Sequence, residues 1–202
     1  LAVFFQSAQK SNLNIINKKR NWITFVGKLN KAKGYDIFVK SIKKILKKYP
    51  NWRAKIIGDE KREQIELKEK NADLLGFINH DNVIKVFKKS SITVACSRWE
   101  EPFGRTSLEA SANGCAVIIT NKGGLPETIT NARILKSLTE KDLTKEISNL
   151  ISNEKLRNKL QTLSIKNFYL THNYVTKMID NYRDEKLLLN KLFHTKKVKK
   201  SL

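Results

Sequence analysis

The sequence predicts an α/β protein built on a doubly wound parallel sheet, and three observations carry that prediction. Five short apolar runs, 22–26, 52–57, 73–75, 92–96 and 116–120, lie along the chain, and four are soon followed by a turn residue and a segment of helical period. None of them alternates apolar with polar residues as a half-exposed antiparallel strand does, so strands buried on both faces are expected. All eight glycines and all three prolines fall between positions 27 and 126. The last 76 residues contain neither, so nothing there is marked to break a helix.

Residues 1–20, polar and basic beyond Phe5, read as a connector or amino-terminal extension. The first strand, 22–26, runs into Gly27 and a loop that closes at Gly34. Segment 36–49 then places Ile37, Phe38, Ile42, Ile45, Leu46 and Tyr49 on one helical stripe, with Lys40, Lys43, Lys44, Lys47 and Lys48 mostly on another. The same reasoning gives helices over 61–70, 81–90, 105–113, 139–152, 154–168 and 172–193. The expected organisation is a connector over 1–20, a sheet domain over 21–170, a carboxyl-terminal helix over 171–194 and a basic, frayed tail over 195–202. Repeated strand–helix units with right-handed crossovers place a ligand site beyond the carboxyl ends of the strands, in the loops that follow them.

A chain of 202 residues with 40% apolar and 29% charged residues can bury a real core, which excludes collagen-like, disordered and disulfide-stapled classes. No run approaches the roughly 20 apolar residues of a membrane span, and Leu1–Phe5 is too short for a secretory signal. The first residue is Leu, not Met, which suggests a fragment. The net charge is +21 and is uneven: residues 1–58 carry 14 Lys and Arg against Asp36 alone, whereas 59–182 carry 19 against 16 acidic residues. Arg numbers 8 and Lys 32, so a diffuse preference for anions fits better than base readout by bidentate Arg, and no specific nucleic-acid partner is expected. An ordinary solvated surface is the plain alternative. If both of their runs are parallel strands, Cys96 and Cys115 sit near opposite ends, beyond disulfide reach, and two reduced thiols point to the cytosol.

The loop after the fourth strand, Ser97-Arg98-Trp99-Glu100-Glu101-Pro102-Phe103-Gly104, combines several features suited to an anion. Pro102 stiffens its entry, Gly104 allows close approach, and the helix beginning there offers amides of Phe103, Gly104, Arg105 and Thr106 to a phosphate. Glu109 lies about a turn and a half further on, suited to accepting from the two hydroxyls of a ribose. Glu101 is placed to accept hydroxyls beyond the phosphate. The alternative is that Glu109 only pairs with Arg105 at i,i+4 and Glu101 only flanks a helix start. In the first loop, Lys28 and Lys33 between Gly27 and Gly34 would bring two ammonium groups to the same end of the sheet.

Other chemistries lack support. Neither Gly-x4-Gly-Lys-Ser/Thr nor Gly-x-Gly-x-x-Gly occurs, and no Asp-x-Asp is present to hold a divalent cation against a diphosphate. His80, His172 and His194 form no ligand spacing and each reads as a surface residue. Ser107 is not in a nucleophile elbow.

Phe25-Val26-Gly27-Lys28-Leu29 with Lys33-Gly34, then Glu101-Pro102-Phe103-Gly104 with Leu108-Glu109-Ala110, then Gly123-Gly124-Leu125-Pro126-Glu127, resemble the carboxyl-terminal domain of retaining glycosyltransferases of family four (glycosyl transferases group 1). The resemblance covers roughly 22–170. It implies a Rossmann-like domain, one half of a GT-B fold, with a helical carboxyl-terminal extension. It also implies transfer of a sugar, with retention and without a metal or other cofactor, from a nucleotide-diphosphate sugar to a glycan or lipid-linked acceptor. Lys28 and Lys33 would hold the diphosphate, Glu109 the ribose and Glu101 the donor-sugar hydroxyls. Gly27 and the amides around Phe103–Thr106 would meet phosphate and sugar, and Phe77 and Ile78 would border the nucleobase. Lys28 stands where the family usually has Arg, Cys96 where it usually has Pro, and 129–135 abbreviates a Gly-containing hairpin.

In that family the acceptor site belongs to an amino-terminal domain, which this chain is expected to lack and which would be its partner. The 172–193 helix, with Tyr174, Val175, Met178, Tyr182, Leu189 and Phe193, would partly dock on it. Two further readings remain open. One is a basic module binding anionic membrane or nucleic acid without catalysis, with helix 40–48 and tail 196–200 as footprint. The other is a nucleotide-sugar epimerase of similar architecture. The expected location is cytoplasmic, with peripheral attachment to an anionic inner membrane face as a further partner.

Overall fold

The computed structural model describes residues 6–128 and 131–198, with side chains described up to Leu189. The chain divides into two compact units, Gln9–Phe168 and a smaller one formed by the amino-terminal residues to Ala8 with Tyr169–Leu202.

The larger unit is a six-stranded sheet in the order β3-β2-β1-β4-β5-β6 with every pair parallel. Its strands are β1 (Arg20–Val26), β2 (Arg53–Ile57), β3 (Ala72–Leu74), β4 (Ser90–Ala95), β5 (Ala116–Ile119) and β6 (Arg133–Ile134). The order reverses between β1 and β4, which makes the carboxyl ends of those two strands the switch point of a doubly wound sheet. Helices α1 (Tyr35–Lys48), α2 (His80–Lys89), α3 (Arg105–Ala112), α4 (Glu140–Ser152) and α5 (Glu154–Lys166) complete the unit.

Two apolar clusters account for the layering. Ile23, Phe25, Ala54 and Ile56 of the sheet join Phe38, Ile42 and Ile45 of α1 and Leu143, Ile147 and Leu150 of α4. The Phe25 ring lies 5.2 Å from that of Tyr35 and 5.0 Å from that of Phe38, in tilted contacts. Ile57, Val117 and Ile119 face Val83 and Phe87 of α2 and Ala110 of α3 in the second cluster. Each large side chain buried in this way contributes about 1.5–3 kcal/mol. Side chains cap α2, α4 and α5: Asn79, Thr139 and Asn153 accept from the amides of Asn82, Asp142 and Leu156.

Two elements differ from expectation. Segment 61–70, read as a helix, is extended and irregular. Leu67 is buried and Ile65 packs against the same cluster, and residues two apart cannot share one face of an α-helix. Residues 9–20, read as connector, belong to the compact unit, and Leu13–Lys18 form a short 3-10 helix. Lys19 Nζ donates to the carbonyls of Phe87 (2.8 Å) and Asn113 (2.7 Å), at the ends of α2 and α3. Burial pushes its pKa below the ordinary 10.5, with Cys115 opposing. Cys96 and Cys115 are both buried free thiols.

The smaller unit is dominated by α6 (His172–Val198). The Thr171 hydroxyl accepts from the amide of Tyr174, Ser7 hydrogen-bonds His172 at 2.7 Å, and the rings of Tyr169 and Tyr174 meet edge to face at 5.3 Å. Of the stripe named for docking, Val175 is buried, Met178 half-buried, and Tyr174, Tyr182 and Leu189 exposed. The Phe193 side chain, tail residues 199–202, the leading residues 1–5 and Ile129-Thr130 lie outside the described residues. Among the described residues no helix is long and apolar enough to cross a membrane.

Candidate functional site

The loops after β1 and β4 are tied to each other, and that tie brings the candidate charges together. Asn30 organises the first loop: its Oδ1 accepts from the Lys33 amide at 3.0 Å, and its Nδ2 donates to Glu60 at 3.1 Å. Gly34 then turns the chain with φ +74, so close to β4 that a Cβ there would stand 2.0 Å from the Cys96 carbonyl oxygen. From the other side, the amides of Arg98 and Trp99 donate to the Ala32 carbonyl at 2.9 and 3.2 Å. The Arg98 guanidinium grips both oxygens of Asp36 at 2.6 and 2.9 Å. Burial works against the Asp36 carboxylate, yet the hydrogen bonds and charge of Arg98 outweigh it and hold its pKa below the usual value. The Lys33 ammonium meets Glu101 at 2.5 Å as a result.

The loop after β5 fixes Glu101 from behind. Gly124 donates its amide to the Glu101 carbonyl at 2.7 Å, and the Gly123 amide donates to the Glu100 side chain at 2.6 Å. A Cβ on Gly123 would fall 2.3 Å from the Glu101 carbonyl oxygen, so this close approach admits only glycine. The Lys122 ammonium and the Gly123 amide together hold the Glu100 carboxyl below its ordinary pKa.

Between these loops opens a cavity of about 220 Å³. Gly27, Lys33, Glu101, Gly104, Arg105 and Thr106 line it, together with Cys96, Ser107 and Leu125. Helix α3 begins at its wall, and the first-turn amides of any helix lack intrahelical acceptors and carry the positive end of its dipole. The cavity therefore offers a cation, an amide-rich helix terminus and a carboxylate within one small volume. The Cys96 thiol is pushed up to about 12 by burial, which leaves it protonated and inert.

The other named residues lie around this cavity, not in it. Glu109 is 5% exposed, one turn into α3, and its Oε1 accepts both Arg105 Nε at 2.7 Å and His80 Nε2 at 2.9 Å. The i,i+4 pairing with Arg105 is thus present, and His80 shares the same carboxylate oxygen. Lys28 is exposed, and its charge acts on Glu60. Phe77 is 85% exposed and Ile78 half-buried at the end of β3, and Phe103 is not among the lining residues. His80, read as a surface residue, is exposed, with 55% of its side chain open to water, yet its Nε2 meets Glu109. Its spacing in α2 does not mark it, because that helix buries Val83 and Phe87 and not His80.

Comparison with known proteins agrees with the fold. The family model "Glycosyl transferases group 1" matches residues 6–166. Spore coat protein SA of Bacillus subtilis is 29% identical over 168 residues, which is 75% of this chain and 44% of that protein. The chain thus spans less than half the length of that relative. The crystal structure of the C-terminal domain of a glycosyl transferase group 1 family protein, LpcC, from Francisella tularensis is 28% identical with a TM-score of 0.66, covering 81% of this chain and 93% of that one. Alr3699/HepE of Anabaena, solved with UDP, shares the fold at 17% identity, with a TM-score of 0.77 over 91% of this chain and 57% of that one. By sequence, by strand order and by its match to that isolated domain, the chain belongs to the group 1 glycosyl transferases, as a GT-B carboxyl-terminal domain.

Proposed function

We propose that this chain is the donor-binding half of an enzyme that moves a sugar from a nucleotide diphosphate to a glycan or lipid-linked acceptor, with retention and without a metal. The observation that carries the proposal is the cavity where Lys33, Glu101 and the start of α3 converge. The β-phosphate would sit against the first-turn amides of α3, with Lys33 beside it and Lys28 reaching in from the rim. As the bond between the anomeric carbon and the phosphate oxygen breaks, its electron pair passes to the diphosphate. The acceptor oxygen takes over that carbon and gives up its proton, which the departing phosphate can take. Negative charge thus grows next to Lys33 and the helix terminus, where fixed dipoles stabilise it without reorganising. These groups supply the counter-charge that a divalent cation supplies elsewhere.

Glu101 would accept hydroxyls of the donor sugar once Lys33 turns to the phosphate, Glu109 would accept from the ribose, and Phe77 and Ile78 would border the base. The family resemblance supports retention. The amino-terminal acceptor domain of such enzymes would be the partner of this half. Alr3699/HepE has been solved with UDP and glucose, which makes UDP the first nucleotide to try.

Calorimetry with UDP, GDP and ADP tests the site. One nucleotide should bind, and Lys33→Ala should weaken it about 10-fold or more, the equivalent of about 1.5–3 kcal/mol for a lost charged hydrogen bond. Glu109→Ala should weaken nucleotides but not inorganic pyrophosphate. Unaltered nucleotide affinity in both variants would refute the site.

A further inference from the structure

We propose that a lysine-lined groove on the outer face of α1 docks this chain on a membrane surface bearing anionic phospholipid. Helix α1 buries Phe38, Ile42 and Ile45 and turns Lys40, Lys43, Lys44, Lys47 and Lys48 to water. Between α1 and the chain leading into β3 lies a groove of about 380 Å³, larger than the donor cavity. Lys43, Lys44 and Lys47 form one wall and Lys70 and Asn71 the other, over the buried Leu46. The groove shares no lining residue with the cavity that holds Lys33 and Glu101, so the inference stands apart from the proposed donor chemistry.

The charge balance favours an anion. Glu140 pairs with Lys44, and Glu69 is the single carboxylate in the lining. Glu66 is engaged by Lys68. Among the described residues, Lys40, Lys43, Lys47, Lys48 and Lys70 form no salt bridge. Clusters of about four to eight basic residues on an amphipathic helix are what anionic lipid attracts, and the apolar stems of lysines can lie against headgroups while the ammonium groups meet phosphate.

A lipid fits better than a nucleic acid. The groove has no Arg, so it lacks the planar fork that reads phosphate and base edges in pairs. It also lacks a stacking platform: Tyr49, at the end of α1, is half-buried and covered by the Lys48 ammonium at 5.3 Å from its ring centre.

Co-sedimentation of the 202-residue chain with vesicles decides the matter. Vesicles of two parts phosphatidylcholine to one part phosphatidylglycerol should bind it, vesicles of phosphatidylcholine alone should not, and added salt should reverse binding. The triple variant Lys43→Gln/Lys47→Gln/Lys70→Gln should lose about tenfold or more of its partition. An equal charge removed from exposed lysines of α5, as Lys155→Gln/Lys159→Gln/Lys166→Gln, should cost about twofold or less, and circular dichroism should show both variants folded. Equal losses in the two variants would overturn the proposal in favour of net charge alone. Duplex DNA bound more tightly than the anionic vesicles, with the same dependence on the groove lysines, would overturn it in favour of nucleic acid. Saturable binding of inorganic phosphate without vesicle binding would overturn it in favour of a free anion.

Discussion

Replacing Glu101 by Gln isolates the pair at the centre of the cavity. Lys33 and Glu101 meet at 2.5 Å, with side chains 32% and 14% exposed. A diphosphate that claims Lys33 therefore takes it from this carboxylate. A charged hydrogen bond contributes about 1.5–3 kcal/mol when shielded, and with a third of Lys33 open to water about 1 kcal/mol is the fitting magnitude. The amide keeps the shape and can still accept, but it no longer competes as a charge. Glu101→Gln should thus tighten UDP, which has no sugar to lose, by about fivefold. UDP-glucose should move the other way, by roughly tenfold, because its sugar hydroxyls lose an ionised acceptor. Calorimetry on the wild type, Glu101→Gln and Lys33→Ala with both ligands gives the comparison. A loss of both ligands in equal measure on Glu101→Gln would refute the competition and make the carboxylate a structural brace.

Three further outcomes follow from the contacts around the site. Lys19→Met strips the donor from the carbonyls of Phe87 and Asn113 and should cost about 2–4 kcal/mol, or roughly 4–16 °C in Tm by calorimetric melting. Because burial lowers the Lys19 pKa in the fold, wild-type stability should rise as pH climbs from that lowered value to the unfolded 10.5, and the Met variant should lack the rise. Arg98→Ala frees Asp36, whose depressed pKa contributes stability above its ordinary 3.8 that is lost as pH falls through the folded-state value. Urea titrations across acid pH should show that dependence in the wild type, worth about 1 kcal/mol after screening, and not in the variant. Gly34→Ala forces a Cβ onto the Cys96 carbonyl at positive φ and should destabilise by about 2 kcal/mol or more while weakening UDP, both measurable on one preparation.

Strands β4 and β5 were legible because they are buried on both faces and so appear as unbroken apolar runs, and Gly27 and Gly58 directly follow β1 and β2, whereas the two-residue edge strand β6 offers no such run. The loops were legible for a related reason. Gly34, Gly123 and Gly124 stand where backbone meets backbone, and no other residue fits there. What escaped the sequence was whatever depends on a distant partner. Segment 61–70 has the Lys and Glu content of a helix, but Ile65 and Leu67 answer to the apolar cluster they pack on, which composition does not encode. Lys19 looks like any lysine of a basic stretch until two helix ends close over its ammonium. The candidate site divides along the same line. Lys33 and Glu101 follow from their loops, whereas the third member of the Glu109 cluster, His80, is the first residue of another helix, α2, and is tied to Glu109 only by tertiary packing.

Amide chemical-shift mapping of the chain titrated with UDP addresses the central claim without relying on any variant. The donor-site account predicts that the largest changes fall on Gly27, Lys33 and Gly104–Ser107, with α1 beyond its first turn unmoved. Changes confined to the lysine groove, or spread along basic residues in proportion to their exposure, would contradict it.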